Sequence, residues 1–476
     1  MSNAPTLDDL RPKLDAIGQS HVLRHAEELD EAGKAKLAGQ LGQLNLDEIG
    51  ELAESYVKTK PEVSIPSQID PPTVMPRTPA SGHVEMYEKA AKRGKEMLEN
   101  GEVAAFLVAG GQGTRLGYDG PKGEYPVTPV REKPLFQVFA EQVKAAGDRH
   151  GKPVPWYIMT SELNDQRTRA FFDKHNYFGL PKDQVFFFAQ GMMPAFDMDG
   201  KLLLAGKDSL ALSPDGHGGS LRALARSGAL ADMEQRGVKH LSYFQVDNPL
   251  VHVIDPLFLG LHDQMNSDMS SKTIAKAEPK EKVGNFCVAD GTLTIIEYSD
   301  LPDELAESTN DDGSLKFNAG SIAIHVLAVD FVKRLTSGGK LDLPWHRAEK
   351  KVPHIDEAGN DVAPQSPNAV KLEQFVFDAI PLAKNPLVLE TIREEEFSPV
   401  KNAEGGSSPE TSRRDQVRRA ARWLAKAGVE VPHDDAGEPA VILEISPLFA
   451  SSAEETAEKE LPPTAIQAGS RIYHGD

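Results

Sequence analysis

Apolar positions along the chain fall into two kinds of run that alternate. Val103–Ala109, Trp156–Thr160, Gln184–Ala189 and His240–Val246 are short, nearly continuous apolar stretches, the pattern of strands buried on both faces. Between them lie Leu135–Ala146, Asn164–His175 and Ser220–Ala231, where apolar side chains return every three or four positions, the pattern of amphipathic helices. Strand and helix taking turns in this way predicts a mainly parallel sheet covered by helices, an α/β fold. The alternation continues to about Pro386.

The flanks differ. From Leu7 to Val57 the chain is rich in Ala, Leu, Glu, Gln and Lys, with Leu37, Leu41, Leu44 and Ile49 at helical spacing, so several short helices are expected. Residues Lys60 to Pro79 carry six prolines and read as an extended connection. A helix through Met86, Ala90 and Met97 is expected to stop near Gly101. Past Lys401 the chain turns polar: Asn402–Arg414, with Gly405-Gly406-Ser407-Ser408, reads as a mobile loop, Arg413–Ala427 as a basic helix, and Ala440–Ile445 as a strand. These shifts suggest an N-terminal helical segment and connection (1–99), a catalytic α/β domain (100–400) and a small C-terminal domain (401–476).

Composition narrows the function. With 39% hydrophobic and 26% charged residues the chain is an ordinary globular protein, and it contains no apolar run of membrane length. The N-terminus has no basic and apolar secretory pattern, and a single cysteine, Cys287, excludes an intrachain disulfide and a cysteine-rich metal site. A cytoplasmic location is expected. The formal net charge is −20, which argues against general binding of nucleic acid or anionic membrane. An enzyme with anionic substrates would have to gather a few lysines and arginines, or a cation, in one cleft.

The segment Leu107-Val108-Ala109-Gly110-Gly111-Gln112-Gly113-Thr114-Arg115-Leu116-Gly117, followed by Pro121-Lys122-Gly123, has that character. A buried strand runs into a glycine cluster whose backbone N–H groups can surround phosphate or a base edge, and Arg115 and Lys122 supply charge. A plain turn would explain Gly110 and Gly111 but not the two cations. A dinucleotide fingerprint needs G-x-G-x-x-G, and here Gly113 to Gly117 is one residue too long, while Pro121 disfavours a helix. A P-loop needs its lysine in G-K-[ST], not Pro-Lys-Gly.

As a whole the segment resembles the signature of the UTP-dependent sugar-1-phosphate nucleotidyltransferases, the pyrophosphorylase family. The resemblance implies a Rossmann-like, GT-A-like nucleotidyltransferase fold with helices on both faces of a mixed, mainly parallel sheet. It implies that Gly110 and Gly111 approach the uridine and that Arg115 and Lys122 meet the pyrophosphate.

Later motifs are similar to the same family in order and spacing. Gln190, in Ala189-Gln190-Gly191, would read uracil, a task that suits an amide because uracil presents donor and acceptor on one edge. Ser213-Pro214-Asp215-Gly216-His217-Gly218-Gly219 would be the second nucleotide segment, with Gly216 beside the nucleotide and His217 towards the sugar; taken alone it could be a glycine-rich turn. Hexosamine-type relatives commonly have Asn where His217 stands, and glucose-type relatives His. Asp247, at the end of the His240–Val246 strand, would hold Mg²⁺, a cation that prefers carboxylate and phosphate oxygens. Gly284, Glu297 and Asn318 would line the sugar pocket. Leu343–His346, Lys371–Asp378 and Glu395–Asn402 match the hexosamine branch better than the glucose branch, and Lys401 would face phosphate at the reaction centre.

The resemblance thus implies a uridylyltransferase making UDP-N-acetylglucosamine and pyrophosphate from UTP and N-acetylglucosamine 1-phosphate. Alternatives are glucose 1-phosphate or a broad range of sugar phosphates, and, in another class, a catalytically silent nucleotide-sugar sensor. The expected partners are UTP and a hexose or hexosamine 1-phosphate, with no nucleic acid, no membrane, and a monomer or weak homodimer.

Overall fold

The computed structural model describes residues 5–60, 66–459, 461 and 466–475; Pro61 of the proline-rich connection and the first four residues lie outside the described residues. The chain forms two compact units. One takes residues 66–189, 221–341 and 377–476, the other 1–65, 190–220 and 342–376.

The larger unit is built on a ten-stranded sheet. In chain order its strands are β1 (Ile69–Asp70), β2 (Val103–Val108), β3 (Trp156–Thr160), β4 (Val185–Ala189), β5 (His240–Gln245), β6 (Met269–Ala275), β7 (Asn285–Ala289), β8 (Thr292–Ile296), β9 (Ala319–Ala328) and β10 (Leu387–Glu390). The path runs β1-β7-β9-β5-β2-β3-β4, with β6 joined to β9, β10 to β6 and β8 to β7. The half made of β5, β2, β3 and β4 is parallel, with Gln245 opposite Val108, Val108 opposite Met159 and Thr160 opposite Ala189. These four strands therefore end together at their carboxyl ends, where an open parallel sheet binds ligands. Beyond β5 the sheet is mixed: β9 runs antiparallel to β5, β6 and β7, while β10 runs parallel to β6.

The helices sit where the apolar pattern directs. Along β2, Val103, Ala105 and Leu107 point to a core shared with Met97, Phe136, Phe139 and Phe258 from the helices Val84–Glu99, Leu135–His150 and Pro256–Gln264. Phe106, on the opposite face, packs against Tyr243 and Phe188, and beside it Tyr157 Oη donates to Asp232 of the helix Ala229–Arg236 at 2.6 Å. Helices cover both faces, and no helix among the described residues is long and apolar enough to cross a membrane.

In the smaller unit the helices Leu7–Ala16, Glu31–Gln43 and Leu46–Leu52 bury Leu14, Leu37, Leu41 and Ile49 in one core with Phe196, Leu202, Trp345 and Leu372. A three-stranded antiparallel sheet of His346–Lys350, Ala369–Glu373 and Phe196–Asp197 completes it.

Two local expectations change. The helix Ser220–Ala231 is two helices, Gly219–Arg226 and Ala229–Arg236, because Gly228 adopts φ +84° and ends the first. The segment expected to be mobile, Asn402–Arg414, is a folded turn: the Lys401 and Asn402 N–H groups both donate to Ser407 O, at 2.7 and 3.1 Å, and a capping box at Ser408 then starts the helix Pro409–Lys426.

Candidate functional site

The glycine-rich loop is held at its base and open at its tip. Ala109 N–H still donates to Met159 O at 2.8 Å, prolonging the sheet by one residue, and Asn164 Nδ2 donates to Ala109 O at 3.1 Å. The loop closes on itself where Gly113 N–H donates to Gly120 O at 2.8 Å and Lys122 N–H to Gly111 O at 3.1 Å. Below that closure Glu124 is buried and accepts from Arg167 Nη2 at 2.8 Å and Tyr118 Oη at 3.0 Å. At the tip Gly111 is exposed, with nothing within 4 Å of where a Cβ would stand. Gly110 beside it is half-buried, and Arg115 is exposed.

Lys122 is half-buried and its ammonium donates to Val400 O at 3.3 Å. Burial, the largest influence, pushes its pKa below the ordinary lysine value; Asp247 pulls it back up, and Lys401 and Arg115 push it further down. The fold thus brings Arg115, Asp247 and Lys401 each within electrostatic reach of Lys122. Asp247 stands two residues past the end of β5, and its carbonyl accepts from Val400 N–H at 2.7 Å, which docks the Lys401 segment beside it. Asn248 makes the second clamp: its Nδ2 donates to Glu396 O at 2.7 Å and its Oδ1 accepts from Ser398 N–H at 3.1 Å. Sequence reasoning assigned no role to Asn248 or Glu396, although Asn248 stands next to Asp247.

The polar residues at the antiparallel end of the sheet form a second cluster. Asn285 pairs with Ile296, so Gly284 and Glu297 lie across from each other where β7 begins and β8 ends. A Cβ on Gly284 would stand 3.4 Å from Glu297 Oε1 and 2.6 Å from Ile295 Cγ2. Asn318 precedes β9, whose Gly320 faces Asn285, and its Oδ1 accepts from Lys276 N–H at 2.8 Å, leaving the amide NH₂ to donate.

Gln190, Gly216 and His217 belong to the smaller unit, and there they are tightly caged. Gln190 Nε2 donates to Asp215 Oδ1 at 3.2 Å and Gly216 O at 2.8 Å, so the amide already uses its donor side within the protein. Gly216 has φ +85°, and a Cβ there would stand 2.3 Å from Gln374 O. One on Gly219 would stand 2.0 Å from Asp215 Oδ1. His217 stacks on Phe375 at 5.1 Å and its Nδ1 accepts from Val376 N–H at 3.1 Å, so in the neutral ring the proton is on Nε2. Burial, reinforced by His346, pushes its pKa down to about 4, which keeps the ring neutral near pH 7.

Among the described residues one trio has donor atoms close enough to share a cation: His252, Asp255 and Glu396. The fully buried Lys272 already occupies it, with Nζ at 2.8 Å from Asp255 and 2.5 Å from Glu396, and Arg77 reaches Asp255 at 2.7 Å. Burial works to raise the Asp255 pKa, but Arg77 and Lys272 hold it well below the usual carboxylate range. This is an internal ion-pair network. Asp247 stands instead beside Lys122 and the Lys401 segment, and a half-buried aspartate there fits Mg²⁺, whose remaining ligands are ordinarily water and substrate phosphate.

With that arrangement in view, the match to known proteins is decisive. Residues 48–406 match the model of the family described as UTP–glucose-1-phosphate uridylyltransferase. The chain belongs to this family. It is 39% identical to the UDP-N-acetylhexosamine pyrophosphorylase-like protein 1 of Xenopus tropicalis, over 94% of this chain and 92% of that one. It is 36% identical to the UDP-N-acetylglucosamine pyrophosphorylase of Saccharomyces cerevisiae, over 95% and 97%. The crystal structure of the uridine diphosphate N-acetylglucosamine pyrophosphorylase from Trypanosoma brucei superposes with a TM-score of 0.81 at 26% identity, covering 98% of both chains. The α/β architecture expected from the alternating pattern, and the nucleotidyltransferase fold implied by the resemblance, are the fold of the family.

Proposed function

We propose that the chain is a uridylyltransferase that joins UTP and N-acetylglucosamine 1-phosphate to give UDP-N-acetylglucosamine and pyrophosphate. The observation that carries this reading is the gathering of Arg115, Lys401 and Asp247 around Lys122 in a protein of net charge −20. The choice of sugar leans on relatives 35–39% identical over most of the chain whose names specify N-acetylglucosamine or N-acetylhexosamine.

In the reaction, an oxygen of the sugar phosphate attacks the α-phosphorus of UTP, a new P–O bond forms, and the bond from the α-phosphorus to the bridging oxygen breaks, releasing pyrophosphate. A phosphate monoester with a second pKa near 6 is already mostly deprotonated at neutral pH, so no general base is needed. The barrier is repulsion between anions and the charge that develops on the leaving group. The protein answers with fixed positive charge and positioning. Arg115 and Lys122 meet the leaving pyrophosphate, and Lys401 meets phosphate at the reaction centre. Asp247 would hold Mg²⁺, which supplies charge neutralisation at the phosphates. Gly110, Gly111, Gln190 and Gly216 would receive the nucleotide. His217, Gly284, Glu297 and Asn318 would hold the sugar through neutral or single-carboxylate hydrogen bonding. A cytoplasmic setting, and action as a monomer or weak homodimer, complete the proposal; the buried thiol of Cys287 suits a reducing compartment.

The second reading, glucose 1-phosphate as substrate, is favoured by His217 and by the family description. Pyrophosphate release from UTP with N-acetylglucosamine, N-acetylgalactosamine and glucose 1-phosphates in parallel separates the two. Release with none of them would sink the enzyme reading. Lys401→Ala is expected to lower turnover by roughly 10²- to 10³-fold with the fold intact; near-normal turnover would remove Lys401 from the site.

A further inference from the structure

The chain just past Lys122 is gripped by residues nearly three hundred positions away. Residues 126–134 form a closed turn in which Val127 N–H donates to Lys133 O at 2.9 Å. Arg413 Nη2 donates to Pro126 O at 2.9 Å and Gln416 Nε2 to Val127 O at 3.1 Å. On the far side of the turn the Glu444 carboxylate accepts from Val130 N–H at 2.8 Å and Arg131 N–H at 2.7 Å.

Arg413 and Gln416 are one helical turn apart near the start of the helix Pro409–Lys426, and so project to the same side. Between them in sequence, Asp415 Oδ2 accepts from Ser398 Oγ at 2.8 Å, three residues before Lys401. One short stretch of helix therefore holds both lysine-bearing segments: the foot of the glycine-rich loop, four residues after Lys122, and the extended run into Lys401. The helix itself is anchored from behind, since Ala420, Ala421 and Leu424 pack with Val441 and Leu443.

We propose that Arg413, Gln416 and Asp415 are positioning residues that set the spacing of Lys122 and Lys401, and that the C-terminal helix serves this reaction as a spacer between two cations. The inference rests on the reading that the two lysines face phosphate. None of the three residues need touch substrate. A displacement of about 1 Å can cost as much as 100-fold in rate, so breaking these contacts should be felt as a loss of turnover rather than as unfolding.

The test is a pair of double-mutant cycles on the full-length chain, Arg413→Ala with Lys122→Ala and Asp415→Ala with Lys401→Ala, reading kcat, KM for UTP and the melting midpoint. Arg413→Ala alone is expected to lower kcat roughly 10- to 100-fold, and Arg413→Lys, which keeps a donor, to recover most of it. In the Lys122→Ala background the same substitution should cost no more than about twofold, because the group it positions is gone. Asp415→Ala should behave likewise towards Lys401. Losses that multiply undiminished in both backgrounds, or that merely track the folded fraction, would overturn the inference, as would wild-type kcat in folded Arg413→Ala and Asp415→Ala. If Arg413→Ala does not fold, Gln416→Ala, which removes one hydrogen bond and no charge, takes its place in the cycle with the same two outcomes. Wild-type turnover in Lys122→Ala and Lys401→Ala would instead overturn the phosphate reading, and this inference with it.

Discussion

The two glycine-rich segments look alike in sequence but use their glycines for opposite purposes. In the smaller unit Gly191, Gly216, Gly218 and Gly219 are there because there is no room: a Cβ on any of them would stand 2.0 to 2.7 Å from Asp215, Gln374 or Phe375. At the tip of the loop in the larger unit, Gly111 and Gly117 are surrounded by open space. The first segment is a rigid cage around a buried carboxylate and a neutral histidine. The second is an open tip above a firmly anchored base, carrying exposed charge. Substitutions should therefore injure the two segments in different currencies: structure in the first, turnover in the second.

The sharpest check on that contrast is Lys122→Ala. It removes a half-buried cation that makes one hydrogen bond, to Val400 O, so turnover should fall roughly 10²- to 10³-fold while the melting midpoint stays near that of the wild type. The pH profile adds a second reading. Burial, with Lys401 and Arg115, lowers the Lys122 pKa, so as pH rises the lysine loses its proton at a pH below the ordinary lysine value of 10.5. An alkaline fall in kcat/KM for UTP that disappears in Lys122→Arg is expected. An unchanged alkaline limb in that variant would detach the limb from Lys122.

Gly219→Ala tests the other side. The added methyl would overlap Asp215 Oδ1, and relief requires moving a buried side chain, so a loss of about 1–3 kcal/mol is expected in urea unfolding. Turnover per folded molecule should fall far less than in Lys122→Ala. Unchanged stability would show that the cage yields easily and that the contrast with the loop tip is false.

How much of this was legible beforehand depends on the range of the interaction. β3 matches its predicted span residue for residue, and β2, β4 and β5 differ by one residue at an end, because a buried parallel strand carries its own continuous apolar run. The antiparallel half, with β9 lying against β5, β6 and β7, has no such local mark; its pairings are set by residues far apart in the chain. The same is true of the smaller unit, where Leu37 and Leu41 share a core with Phe196 and Leu372. Among the site residues, Arg115 and Lys122 stand out in one motif, whereas the clamp of Asn248 on Glu396 and Ser398 is visible only after folding. Gln190 was singled out for its amide, but its donor side proves committed to Asp215 and Gly216, which leaves the carbonyl oxygen as the group able to accept from a ligand.

His217 offers a gentler probe of the cage. Folded, its pKa is about 4; in the unfolded chain it returns to about 6.5. As pH falls below 6.5 the unfolded chain takes up a proton that the folded chain refuses. The residue's contribution to stability is therefore complete above 6.5 and is lost progressively towards pH 4. The melting midpoint of the wild type should fall relative to that of His217→Asn between pH 7 and pH 5, and parallel curves would show that the ring is not held neutral. His217→Asn should also shift sugar preference if this position chooses between glucose and N-acetylglucosamine, and unaltered kcat/KM ratios would end that assignment.

The smallest expected effect belongs to Gly117, and it separates the two uses of glycine most cleanly. Gly117 has φ +69° and no atom within 4 Å of a would-be Cβ, so nothing but backbone conformation opposes a side chain there. Gly117→Ala should cost about 1 kcal/mol, the ordinary penalty for a left-handed alanine, and should raise KM for UTP slightly as the tip relaxes away from that conformation. Gly117→Asn, with a residue that tolerates the left-handed region, should cost clearly less than Ala despite being larger. In the cage that advantage must vanish, since at Gly216 the φ is equally left-handed but a Cβ would stand 2.3 Å from a backbone oxygen, so Asn gains nothing there over Ala. If Asn is no better than Ala at Gly117, the tip is crowded after all, and the division of the two segments into open and caged collapses.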